Sequence, residues 1–170
     1  MLMNYVNKGL RDILIIPEMD DVSLIQDIRE EYDELAHIVP PHITLAFPFD
    51  SEITNGELDE KLKKILSGYK EFDIVLSGLS YHYDEHARVY YMYLDVTHGC
   101  DTIYEISKKI YSEIFNMEVP EKYVPHITLG SVGEINNITL DHIFNTTVKN
   151  IIVEDIGENE ESNIVLRYSL

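Results

Sequence analysis

The chain has one cysteine, few cations and no long apolar run. A single thiol, Cys100, excludes an internal disulfide and a cysteine-ligated metal cluster, and it fits a reducing compartment. Lys and Arg number 13 against 31 Asp and Glu, a formal charge of −18. Polyanions are held by clustered cations, so a long nucleic acid is disfavoured as a partner, although a local basic spot can still hold one phosphate. DILIIP, Asp12 to Pro17, is too short for a membrane span or a signal-peptide core and reads as a strand. A cytoplasmic monomer with no membrane partner is therefore expected. Against these absences, 45% hydrophobic and 26% charged residues is ordinary globular composition. A length of 170 residues suits one domain, 1–170, with a real core.

Strand and helix patterns alternate along the chain. Asp12 to Ile16 is an apolar run ended by Pro17, a buried strand. SLIQDIREEYDELAHI carries Leu24, Ile25, Ile28, Tyr32, Leu35 and Ala36 at helical spacing, with Asp20, Asp21 or Ser23 as caps and Pro40 and Pro41 as the stop. HITLAFPF reads as a strand and NGELDEKLKKILSGY as a second helix. FDIVLSGLSYHY and ARVYYMYLDV, separated by DEH, suggest a hairpin. Cys100 to Phe115 predicts a third helix, and ITLDHIFN a short fourth one. VKNIIVED and SNIVLRYSL predict a closing hairpin. No linker, low-complexity tract or domain boundary interrupts this order.

One pentapeptide is written twice. PHITL occupies Pro41 to Leu45 and again Pro125 to Leu129, 84 residues apart. Each copy follows a predicted helix and opens a predicted strand, where residues two apart share a face. His42 and Thr44 then lie on one side, and Ile43 and Leu45 on the other. His126 and Thr128 are likewise opposed to Ile127 and Leu129. The isoleucines and leucines suit a core, and the paired His and Thr suit a wet concave surface. A single HxT strand is ordinarily structural, because most isolated histidines are satisfied polar groups. A duplication that keeps His and Thr in both copies while the surroundings differ points to a working face.

The pair PHITLAF and PHITLG resembles the two HxTx signatures of the 2H phosphoesterase superfamily, which includes 2'-5' RNA ligases and cyclic phosphodiesterases. The resemblance covers most of the chain in element order. It implies an α+β fold of two pseudo-twofold-related lobes, with antiparallel or mixed sheets flanking a central cleft and helices outside. It also implies that His42, Thr44, His126 and Thr128 are the active residues. Opening a cyclic phosphate or a 2'-5' phosphodiester needs one group to take a proton and another to give one. Imidazoles near pKa 6.5 can do both at neutral pH. Threonine hydroxyls can donate to the nonbridging oxygens as charge shifts. No cofactor and no metal enter this scheme.

Many relatives carry a basic residue after the second motif, where this chain has Gly130 and Ser131. Arg88, opening RVYYMYLDV, is the candidate replacement. Among the clustered tyrosines, Tyr83 and Tyr90 are candidates for stacking on a base. His82, Asp84 and His86 alternate, and an extended backbone would put them on one face as metal ligands, although the segment reads better as a polar turn. The expected function is a metal-independent phosphodiesterase acting on a small nucleotide-like phosphoester. A 2'-5' RNA ligase or processing enzyme acting on tRNA-sized substrates is one alternative, and a noncatalytic nucleotide-binding module is another.

Overall fold

In the computed structural model, residues 9–170 are described. Strand β1 (Arg11–Ile15) is buried at all five positions, its apolar Ile13, Leu14 and Ile15 together with Arg11 and Asp12. Helix α1 spans Ser23–Tyr32, six residues short of the predicted end. Asp33 stops it by offering the backbone another partner: its Oδ1 accepts from Leu35 N at 2.9 Å, while its Oδ2 accepts from Arg29 Nε at 2.9 Å. No side chain caps the start of α1, where Val22 is the N-cap, and Asp21 bonds His142 instead.

Strand β2 (Ile43–Phe49) carries the first motif. Helix α2 (Asn55–Leu66) opens on a capping box of Thr54 and Glu57 and buries Leu58, Leu62, Ile65 and Leu66. Strands β3 (Phe72–Asp84) and β4 (Val89–His98) form the predicted hairpin. Helix α3 (Cys100–Phe115) starts at Gly99, whose φ of +79° leaves no room for a side chain. A Cβ there would stand 2.7 Å from the Asp73 carbonyl oxygen. Strand β5 (His126–Val132) carries the second motif.

The predicted fourth helix is absent. Residues before Phe144 are irregular, and β6 (Phe144–Val148) pairs with β3. Thr146, Thr147 and Val148 suit a pleated edge, and burying Phe144 completely outweighs a weak helical pattern. Strands β7 (Asn150–Ile156) and β8 (Ser162–Ser169) close the chain as the expected hairpin.

All eight strands form one sheet in the order β6-β3-β4-β5-β2-β1-β7-β8, and every pairing is antiparallel. The two separate sheets expected from the resemblance are thus halves of one sheet, and no parallel pair makes it mixed. The halves meet at β2 and β5, which share one registered pair, Ile43 with Ile127. One face of the sheet packs the core. Ile13, Ile15, Ile43, Leu45, Met92, Leu94, Ile127, Leu129, Ile151 and Val153 join the buried faces of α2 and α3 there. Helix α1 packs against β5. No helix of the described residues is long and apolar enough to cross a membrane.

Candidate active site

Strand parity decides what stands on the other face. Ile43 opposes Ile127, so the residues one step away oppose each other as well, His42 with Thr128 and Thr44 with His126. All four are half-buried, while Ile43, Leu45, Ile127 and Leu129 are fully buried behind them. Strand parity thus sets the two histidines on a diagonal across the Ile43–Ile127 pair, near enough for the charge of one to act on the other. His42 and Thr128 line the same cavity, of about 560 Å³, with Arg29, Tyr32, Val39, Tyr91 and Ser131.

The two imidazoles are held alike. His42 Nδ1 donates to the Pro40 carbonyl at 2.9 Å, and His126 Nδ1 donates to the Val124 carbonyl at 2.6 Å, each two residues upstream. Locking Nδ1–H leaves both Nε2 atoms as the free acceptors of neutral rings. Burial pushes the pKa of His42 down, with the Arg29 charge adding to this. The Pro40 bond and the carboxylates of Glu154 and Asp33 act the other way. Burial also lowers His126, to about 4, and the nearby His82 and His42 push in the same direction. Both rings are therefore proton acceptors at neutral pH.

Arg29, which the sequence pattern hides as one charge on an amphipathic helix, is 2% exposed in α1. Its guanidinium bonds Asp33, the Val39 carbonyl at 2.8 Å and Gln26 Oε1 at 3.3 Å. It thereby ties the 33–39 turn to α1, and that turn delivers Pro40 and His42. The absence of a basic residue after the second motif also has a cause. Gly130 has φ +139°, and a Cβ there would sit 2.3 Å from the Tyr32 carbonyl oxygen, so the crossing of α1 over β5 demands glycine.

Other expectations fare differently. Arg88 stands in the β3–β4 turn with φ +56°. It is exposed, and it is not among the cavity-lining residues although its neighbours Ala87 and Val89 are. Tyr83 and Tyr90 oppose each other with rings 4.9 Å apart, but Tyr90 shares the parity of Met92 and Leu94 and so belongs to the core-side face. Tyr91 lines the cavity instead. The His82, Asp84, His86 alternation breaks at the turn, where Asp84 Oδ1 accepts from the backbone N–H groups of His86 and Ala87. Among the described residues, no group of three His, Cys, Asp or Glu is placed to hold a metal ion.

A family profile described as the 2'-5' RNA ligase superfamily matches residues 16–136, a span that contains both motifs. The chain belongs to the 2'-5' RNA ligase superfamily. A relative from Geobacillus thermodenitrificans, named "Putative phosphoesterase", is 28% identical over 121 residues, covering 69% of this chain and 66% of its own length. Another of that name, from Staphylococcus haemolyticus, is 24% identical over 159 residues, 92% of this chain and 88% of its own. Among solved structures, E. coli LigT complexed with ATP superimposes with a TM-score of 0.64 at 15% identity, covering 95% of this chain and 98% of that one. A protein from Thermus thermophilus matches with a TM-score of 0.62 at 15% identity, covering 95% of this chain and 97% of its own. At such identities the likeness is one of fold, and the fold is LigT-like.

Proposed function

We propose that the protein is a metal-independent phosphodiesterase that opens a small cyclic phosphate or a 2'-5' phosphodiester, with His42 and His126 as acid and base and Thr44 and Thr128 as oxyanion donors. The observation that carries this reading is the antiparallel pairing of Ile43 with Ile127, from which strand parity puts the two histidines on a diagonal. An in-line displacement needs its proton acceptor and its proton donor on opposite sides of phosphorus, and that diagonal supplies them. The two halves of the sheet then work as two lobes, each contributing one imidazole and one hydroxyl.

The chemistry follows from the locked tautomers. One Nε2 takes the proton from the attacking water or hydroxyl. The other imidazole must arrive protonated to supply the leaving oxygen. A bound phosphodiester favours this, because its negative charge opposes the burial that lowers both rings. The hydroxyls of Thr44 and Thr128 stabilise the nonbridging oxygens as charge accumulates. Ligation is the reverse of cleavage, so the same residues would serve a 2'-5' ligase.

Glu30, Glu31, Asp33 and Glu34 also line the cavity, which supports a small substrate over a long RNA. In solved structures LigT is complexed with ATP and with 3'-AMP, which supports a nucleotide-like ligand for this fold. Turnover of 2',3'-cyclic mononucleotides, 2'-5' dinucleotides and tRNA, measured with a chelator present, tests the proposal. The expected result is turnover of the small esters. Inactivity restored only by a divalent cation would remove the metal-free mechanism, and a clear preference for tRNA would establish the RNA-processing alternative.

A further inference from the structure

Beside the second motif lies a stack of three rings that the two histidines and two threonines do not account for. The His126 ring lies on Tyr93 with centroids 3.4 Å apart and planes 13° from parallel. The other neighbour of Tyr93 is the ring of His82, at 4.4 Å and 24°. His82 is itself anchored. Ser80 Oγ donates its one proton to Asp95 Oδ1 at 2.8 Å and therefore accepts from His82 Nε2 at 3.0 Å. The ladder register explains the assembly: Ser80 opposes Tyr93 and His82 opposes Tyr91 across β3 and β4, while Asp95 opposes His126 and Tyr93 opposes Thr128 across β4 and β5. Five side chains from three adjacent strands thus form one connected unit that ends on His126.

We infer that Tyr93 and His82 are positioning residues for His126, fixing the plane of its ring and coupling its protonation to that of a third imidazole. The inference rests on the reading of His126 as a proton-transfer group. A ring held by one bond at Nδ1 can still pivot about it, and a parallel aromatic face removes that freedom. The face of Tyr93 also favours the charged imidazolium, against the burial that opposes it. His82 opposes it too when charged, from the far side of Tyr93. The titratable groups facing His126 are His42 ahead of β2, His82 on β3, and Tyr93 and Asp95 on β4.

The test uses NMR titration of the His126 ring protons alongside turnover, in wild type, Tyr93→Phe, Tyr93→Leu and His82→Gln. Tyr93→Phe keeps the stack and should keep kcat. Tyr93→Leu should lower kcat about 10-fold or more with KM little changed, because a loosely oriented acid or base loses its geometry. His82→Gln should move the His126 midpoint upward by removing a neighbouring positive charge. An unmoved midpoint in His82→Gln, or a Tyr93→Leu enzyme as fast as Tyr93→Phe, overturns the inference. The titration arm needs no turnover, so a wild-type protein without phosphodiesterase activity would defeat the proposed function while leaving this coupling to be judged by its own measurement.

Discussion

Ile43 and Ile127 face each other across β2 and β5, the one registered pair that joins the two halves of the sheet among the described residues. Everything proposed for the site hangs on the residues that flank that pair. His42→Ala and His126→Ala should each lower turnover of a cyclic mononucleotide about 10²- to 10⁴-fold, the usual contribution of a positioned acid or base. The double variant should be little worse than the poorer single one, since the two rings act as a unit. Circular dichroism should show both variants folded, because neither ring belongs to the apolar core. Two independent, multiplying losses would mean that the imidazoles do not share one phosphate.

The pH dependence has a definite sign. In the free enzyme both imidazoles titrate below their ordinary 6.5, His126 at about 4. The form with one ring charged and one neutral is most abundant between the two values. The optimum of kcat/KM should therefore lie on the acid side of 6.5 and fall about tenfold per pH unit above it. The kcat profile should be displaced upward, because bound phosphodiester favours protonation. A kcat/KM optimum on the alkaline side would contradict the assignment of both groups.

Arg29 is predicted to matter without touching substrate. Arg29→Met leaves Asp33 without its ion pair and the Val39 carbonyl without its donor. Losing one member of a buried pair costs roughly 3–5 kcal/mol, with the lower end expected because Asp33 is 15% exposed. Arg29→Lys should recover only part of this, since an ammonium cannot span Asp33, Gln26 and Val39 as the guanidinium does. Thermal denaturation of the two variants checks the order, and equal melting temperatures for Lys and Met would reject the fork argument.

A buried pair of carboxyl groups sits across β1 and β7. Asp12 opposes Glu154, both are almost wholly buried, and Asp12 Oδ1 has no hydrogen-bond partner. Burial first, and the Glu154 carboxylate second, raise the Asp12 pKa from 3.8 to about 9. Between those values the folded protein keeps a proton that the unfolded chain releases. This contribution to stability is therefore present at low pH and is lost as pH rises toward the folded value. Asp12→Asn, which carries its hydrogens at every pH, should flatten the decline in melting temperature between neutral and alkaline solution. A decline of the same steepness in the variant would assign it to other groups.

How much of this could be read in the sequence differs from residue to residue. The pairing of His42 with Thr44 and of His126 with Thr128 on one face of each strand needed only strand parity, a local rule, whereas bringing the two strands together rested on the family resemblance. Parity also held the answer for Tyr90, which alternates with Met92 and Leu94 and so could not share their opposite face with Tyr93. Arg29 was hidden because a cation on an amphipathic helix looks solvated until the turn that follows folds over it. The His82–Tyr93–His126 stack was out of reach, since it depends on the register of three strands and on the β4–β5 bulge near Met92 and Tyr93. Ile138 to Asn145 misled for a related reason, because only pairing with the edge of β3 makes a strand of Phe144 and Asn145.

The strand order β6-β3-β4-β5-β2-β1-β7-β8 also has a consequence for how the chain is assembled. Strands β3 to β6 are contiguous in sequence, so that half can close on contacts within one continuous segment. The other half cannot, because β1 at Arg11–Ile15 must wait for β7 at Asn150–Ile156, across nearly the whole chain. Closing so long a loop is slow, and contact order of this kind sets folding rate more than stability. A nascent chain leaving the ribosome would hold the second motif in a finished half-sheet while the first motif stood beside an open edge. The edge of β1 would then be covered last, by a hairpin that carries no motif residue.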